Sequence, residues 1–83
     1  MKKYVFTEKT KNLGKRVLHQ IVALKDFADV KAGDLGGWIE SEENLSHDGD
    51  CWVYDNAIVY MGAKIYDNAK VRDNAVVYAD ANV

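Results

Sequence analysis

The chain of 83 residues contains no proline, one cysteine (Cys51) and two histidines (His19 and His47). A single cysteine cannot close an internal disulfide, and two histidines are too few for most zinc frameworks. No apolar run reaches the length of about 18 residues that a spanning helix needs, and no charged-then-apolar leader opens the chain. A soluble, cytoplasmic protein without membrane contact is therefore expected. Phosphate-loop chemistry is also excluded: Gly33, Gly36 and Gly37 suit turns, and the lysine of a Walker motif is missing. Hydrophobic residues at 48% and charged residues at 29% are ordinary globular values, which excludes disorder. The length allows one domain, residues 1–83, with a thin core. A domain this small draws extra support from a disulfide, a metal, idealised packing or a partner.

Charge is unevenly placed. Residues 1–25 hold seven Lys or Arg against one acid, Glu8, whereas residues 26–83 hold four against twelve. Such a split can steer a partner or a second copy of the chain.

From Cys51 the sequence reads CWVYDN, AIVYMG, AKIYDN, AKVRDN, AVVYAD, ANV, a six-residue period. Alanine returns at Ala57, Ala63, Ala69, Ala75 and Ala81, with Cys51 as a small stand-in that should be buried and inert. Two residues after each small residue comes Val53, Val59, Ile65, Val71, Val77 or Val83, all β-branched. In A-x-V the alanine and valine share one face of a strand. The intervening Asp-Asn pairs tolerate the left-handed backbone of a tight corner. A six-residue repeat drifts around a helix, so no helical stripe forms. Three short strands and three corners close a coil of 18 residues, the length of three such units. The resulting fold class is all-β, a parallel β-helix of hexapeptide repeats. Val53 should then lie against Val71, Val59 against Val77 and Ile65 against Val83. Outside, Tyr60 should stack on Tyr78, and Tyr54 should meet Arg72 in a cation–π contact.

Residues 1–50 read as a strand-rich cap and irregular first coil, and residues 51–83 as regular coils. Lys3–Phe6 and Val17–Leu24 form a β-hairpin around a polar turn at Lys9–Lys15. The second strand places Val17, His19, Ile21 and Ala23 on one face, so His19 is a rim residue. Trp38 and Trp52 are expected as end-cap and surface packing residues.

The segments VKAGDLGGWIE (Val30–Glu40), Asn44–Leu45–Ser46 and GDCWVYDNA (Gly49–Ala57) carry a further resemblance. They resemble the front end of hexapeptide-repeat proteins of phages, prophages and their hosts, often labelled acyltransferases. The resemblance implies that the β-helix is left-handed and begins with a strand-rich cap. Members of this kind usually continue through more coils, whereas this chain stops at Val83. An open end there would expose strand N–H and C=O groups. A homodimer through the last coil, with Ile65, Val71, Val77 and Val83 at the oligomer end, is the expected state.

Three functions compete. The transferases of this resemblance use a catalytic histidine as general base beside a coenzyme A groove. Here His47, followed by Asp48, is the one repeat-region candidate, and its phase makes it a packing or capping residue. A carbonic anhydrase on this fold needs three zinc histidines, more than the chain has. With about two regular coils there is little room for a walled cavity. Nucleic-acid binding through Lys2, Lys3, Lys9, Lys11, Lys15 and Arg16 lacks a groove-entering helix and faces an acidic repeat. The expectation is a non-catalytic interaction or self-assembly module, with no cofactor, no metal and no catalytic residue. Its contact face would comprise Tyr54, Asp55, Tyr60, Tyr66, Asp67, Asp73 and Tyr78, suited to a basic protein partner. One form of such a module is a phage inhibitor of a host nucleic-acid-binding defence enzyme. The alternatives are the N-terminal piece of a hexapeptide-repeat acyltransferase and a nucleic-acid binder. Light scattering across a concentration series should report a dimer, which Val83→Lys should weaken.

Overall fold

The structure, a computed structural model, describes residues 2–78. Its strands are β1 (Tyr4–Leu13), β2 (Arg16–Ala23), β3 (Leu35–Ile39), β4 (Trp52–Val53), β5 (Ile58–Val59), β6 (Lys70–Val71) and β7 (Val76–Val77). A short 3-10 turn at Glu42–Asn44 lies between β3 and β4. No α-helix occurs among the described residues, so the chain is all-β.

One sheet runs β1-β2-β3-β5-β7, and β4 and β6 form a second pair. The hairpin β1–β2 and the contact β2–β3 are antiparallel, whereas β3–β5, β5–β7 and β4–β6 are parallel. Parallel pairing sets Val53 beside Val71 and Val59 beside Val77, as the six-residue period requires. Leu45 and Ile65 make a third parallel bridge. The partner expected for Ile65, Val83, lies outside the described residues.

Corners repeat with the period. Ala57, Ala63, Ala69 and Ala75 each donate a backbone hydrogen bond to the carbonyl three residues earlier, at 3.0–3.4 Å. The first corner residues Asp55, Met61, Asp67 and Asp73 have φ of 54°, 60°, 56° and 60°. Aspartate tolerates this left-handed region because its short polar side chain can bond locally, whereas methionine has no such help. Met61 is held from outside instead. Its N–H donates to Glu40 Oε1 at 2.8 Å, and its carbonyl accepts from Asn44 Nδ2 at 3.1 Å.

Inside, Cys51, Val53, Ala57, Val59, Ala63, Ile65 and Val71 are buried. They form one cluster with Tyr4, Ile21, Ala23, Phe27 and Val30, so the cap and the repeats share a core. Gly36 marks a close approach between them. A Cβ there would lie 2.7 Å from both Ile21 Cγ1 and Trp52 Cζ2, and 2.8 Å from the Val53 carbonyl oxygen.

Three local expectations are corrected. The polar turn placed at Lys9–Lys15 is shorter, because β1 runs to Leu13 and the hairpin closes over Gly14 (φ 61°) and Lys15. Exposed polar residues extend a strand readily when backbone pairing continues, as in Asn12 with Val17. Alternation along β2 also breaks. Leu18 is buried with Ile21 and Ala23, because register shifts after Gln20 against β3 carry the burial to the other parity. Trp52 is no surface residue. It is 1% exposed and meets Phe27 and Tyr4 edge-on at 5.2 and 6.2 Å, since the cap folds over the outer face of β4. Trp38 is half-buried beneath Lys11, whose Nζ stands 4.6 Å from its ring.

The buried Asn44 joins the irregular coil to the next. Its Oδ1 accepts from the Glu40 and Ser41 N–H groups at 3.1 and 2.9 Å, and its Nδ2 donates to the Met61 and Ala63 carbonyls. Loss of one partner leaves the others unsatisfied at about 1–3 kcal/mol each. Asn44→Ala should therefore lower unfolding free energy by about 2–4 kcal/mol in urea titrations.

Candidate functional site

An open cleft of about 520 Å³ lies where two corners stack. Asp55, Asn56, Asp73 and Asn74 line one side, and Gln20, Leu35 and Gly36 complete it. The parallel pairing of β4 with β6 brings the Asp-Asn pairs together, because each follows its strand at the same distance. The cleft is open rather than walled, and β2 and β3 supply its remaining side. No lysine or arginine lines it. Among the described residues, Gln20 Oε1 is buried without a hydrogen-bond partner.

Beside the cleft, the 26–34 loop is tied to the coils. The Tyr54 hydroxyl donates to Asp29 Oδ1 at 2.7 Å, and Arg72 sits 4.4 Å above the Tyr54 ring and 3.7 Å from Asp29 Oδ2. The expected Tyr54–Arg72 contact is thus present. Burial, followed by the hydrogen bond to Asp29, pushes the Tyr54 phenol up to about 12. The same hydrogen bond holds the Asp29 carboxyl below its ordinary value.

Tyr60 stacks on Tyr78 with ring centroids 5.6 Å apart, also as expected. Arg16 lies 5.9 Å from the Tyr60 ring and donates to both Glu40 oxygens at 2.8 and 2.9 Å. Tyr66 is exposed, and Asp67 turns a separate corner where its carbonyl accepts from the Cys51 N–H. Of the proposed contact residues, Asp55 and Asp73 therefore meet in one cleft. Tyr54, Tyr60 with Tyr78, and Tyr66 with Asp67 sit at successive corners, because six residues advance the chain to the next strand of the coil. Ile65 and Val71 are buried, Val77 is half-buried in β7, and Val83 lies outside the described residues.

Lys3 is fully buried. Its Nζ donates to the carbonyls of Cys51 and Gly49 at 2.7 and 3.3 Å, stands 3.4 Å from Cys51 Sγ, and lies 4.9 Å from the Phe27 ring. Much of the basic N-terminal segment is therefore engaged: Lys2 pairs with Glu42, Lys3 is interior, Lys11 covers Trp38 and Arg16 holds Glu40.

His47 has both ring nitrogens occupied. Nδ1 accepts the Lys3 backbone N–H at 3.0 Å, so Nε2 carries the proton and donates to Glu42 Oε1 at 2.9 Å. Its ring stacks on Tyr4, with centroids 4.2 Å apart. The orienting acid is Glu42 rather than the neighbouring Asp48, since the 3-10 turn swings Glu42 back over the ring. This hydrogen bond keeps the Glu42 carboxyl below its usual value. His19 stacks on Phe6 at 4.5 Å and makes no side-chain hydrogen bond among the described residues. Among those residues, no group of three His, Cys, Asp or Glu could hold a metal ion, and no helix is long and apolar enough to cross a membrane.

No protein-family model matches the chain. A stretch of 47 residues, 55% of the chain, is 53% identical to the protein named uncharacterized acetyltransferase YdcK from Escherichia coli K12. The matched stretch covers 14% of that protein's length. This similarity overturns the expectation of a non-enzyme, because a relative carries an enzyme's name. It lends nothing to a phage origin or to inhibition of a host defence enzyme. That expectation rested on the scarcity of histidines, on His47 as a packing or capping residue and on the little room for a walled cavity.

Tyr4, whose hydroxyl donates to the Leu45 carbonyl at 2.5 Å, is also raised by burial. An unfolded tyrosine titrates near pH 10. The native state thus retains protons that the unfolded chain loses, so stability should be intact below about pH 10 and fall above it. For Tyr54 the loss should run until about pH 12. Urea midpoints measured from pH 8 to 11 should show this decline, and Tyr54→Phe should make it shallower.

Proposed function

We propose that the chain forms the capped opening coils of a left-handed parallel β-helix and serves as a section of a hexapeptide-repeat acyltransferase. The 53% identity to a protein named acetyltransferase carries this reading. It is supported by the six-residue period and by parallel pairings such as Trp52 with Lys70 and Ile58 with Val76. Left-handedness is what the resemblance to hexapeptide-repeat proteins implies.

In this reading the cap seals the first coil against edge pairing, and the coils present corner clefts to substrate. His47 belongs to the cap, where its two hydrogen bonds and its stacking hold Lys3, Glu42 and Tyr4. His19, half-buried with no side-chain hydrogen bond among the described residues, is the histidine able to accept a proton during transfer in this reading. Incubation with acetyl-coenzyme A and a panel of amine and hydroxyl acceptors should release coenzyme A thiol above the buffer rate. His19→Ala should lower that rate at least about tenfold, within the usual range for a lost general base. A folded chain that releases no thiol with any acceptor would remove the transferase reading. A right-handed coil in a crystal structure would remove the fold reading.

A further inference from the structure

Lys3 places a cation in the interior. It is fully buried, its Nζ donates to the Cys51 and Gly49 carbonyls, and no carboxylate pairs with it among the described residues. An ammonium held this way is unfavourable relative to its hydrated form. The Phe27 ring lies 4.9 Å from Nζ and also packs edge-on against Trp52 at 5.2 Å.

Phe27 belongs to a loop whose two ends are pinned at one residue. The Ala23 N–H donates to the Asp34 carbonyl, and the Ala23 carbonyl accepts from the Gly33 N–H, both at 2.9 Å. Residues 24–33 therefore leave and rejoin the cap at the same point, the geometry of an Ω-loop. The loop satisfies its own backbone. Phe27 and Val30 exchange two hydrogen bonds at 2.9 and 2.7 Å, which hold Ala28 at φ 46° in the turn between them. The Ala32 N–H donates to Asp26 Oδ1 at 2.8 Å, and the Lys31 N–H donates to Asp34 Oδ2 at 2.9 Å. Among the described residues, no backbone hydrogen bond joins residues 25–32 to the coils. Burial of Phe27 and Val30 holds the loop down, together with a surface latch. In that latch the Tyr54 hydroxyl donates to Asp29 Oδ1 at 2.7 Å, and Arg72 stands 3.7 Å from Oδ2.

We infer that residues 24–33 form a strap that lifts as a unit about its Ala23 pins, and that this lifting uncovers the Lys3 amine for reaction. Closing buries Phe27 and makes the Asp29 latch. Opening hydrates the ammonium and breaks no backbone hydrogen bond between the strap and the coils, so it draws on local rather than global stability. The inference stands apart from the transferase reading.

The test measures acetylation of Lys3 by the N-hydroxysuccinimide ester of acetic acid, read site by site by mass spectrometry. The Lys3 nitrogen bonds to the acetyl carbon as the ester C–O bond breaks. One nitrogen proton leaves with N-hydroxysuccinimide and a second goes to solvent. Lys9 and Lys15, both exposed, serve as internal references. Lys3 should react at least about tenfold more slowly than these, as an amine reached only through a minor open state does. Its rate should not change with urea below the unfolding transition. Tyr54→Phe removes only the latch hydroxyl and should speed Lys3, but not Lys9, by about threefold to tenfold, the equivalent of one hydrogen bond. Asp29→Ala, at an exposed position, should do the same. Deuterium exchange at the Leu24 amide, which donates to the Lys3 carbonyl, should be unaltered by either variant. Labelling of Lys3 as fast as Lys9, or a rate indifferent to both variants, would overturn the inference. So would a Lys3 rate that climbs with urea in step with exchange at coil amides, since global unfolding would then expose it. Leu24 exchange accelerated together with Lys3 labelling would point to fraying of β1 and count equally against the strap.

Discussion

Strand β3 is the joint on which the fold depends. Its backbone is paired on both sides, antiparallel with β2 and parallel with β5. A stack of parallel coils has no natural end, because its outermost strand always offers unpaired N–H and C=O groups. Here the hairpin β1–β2 ends the stack by adding antiparallel strands to the same sheet. The closeness this requires is visible at Gly36, where even one methyl group would meet Trp52, Ile21 and the Val53 carbonyl.

The irregular stretch between β3 and β4 carries the same demand into the coil interior. Asn44 bonds to backbone groups on both sides of the gap, in the place of ladder bonds that a regular strand would make. Lys3 does related work at the other end. Its ammonium satisfies the Cys51 and Gly49 carbonyls beneath the cap, with the Phe27 ring below it. His47 then clamps the Lys3 backbone and Glu42 together. These groups fix the cap, and both ring nitrogens of His47 are engaged in doing so.

Legibility differed between the two halves of the chain. In the repeat, backbone pairing recurs every 18 residues, so one local rule recovers Val53 with Val71, Val59 with Val77 and Tyr60 with Tyr78. In the cap, neighbours come from far along the chain, and local periodicity says nothing about them. Trp52 illustrates this: its phase in the repeat points outward, yet it is buried because the cap lies on it. Glu42 as the partner of His47 was hidden for the same reason, since Asp48 is nearer in sequence and Glu42 is nearer in space. Asp55 and Asp73 were visible as a stack, but Gln20 and Gly36, which turn that stack into a cleft, come from other strands.

The sequence by itself determined the all-β class, the coil register and the inward alanine and β-branched residues, because all three follow from a short repeat and strand alternation. Tertiary structure alone decided the rest. It made a continuous sheet from the hairpin and the coils, buried Lys3 and Trp52, engaged His47, and set Gln20, Leu35 and Gly36 against two stacked corners to form a cleft. The physical reason is range: periodic burial is encoded residue by residue, whereas satisfaction of an end strand and closure of a cleft depend on groups tens of residues apart.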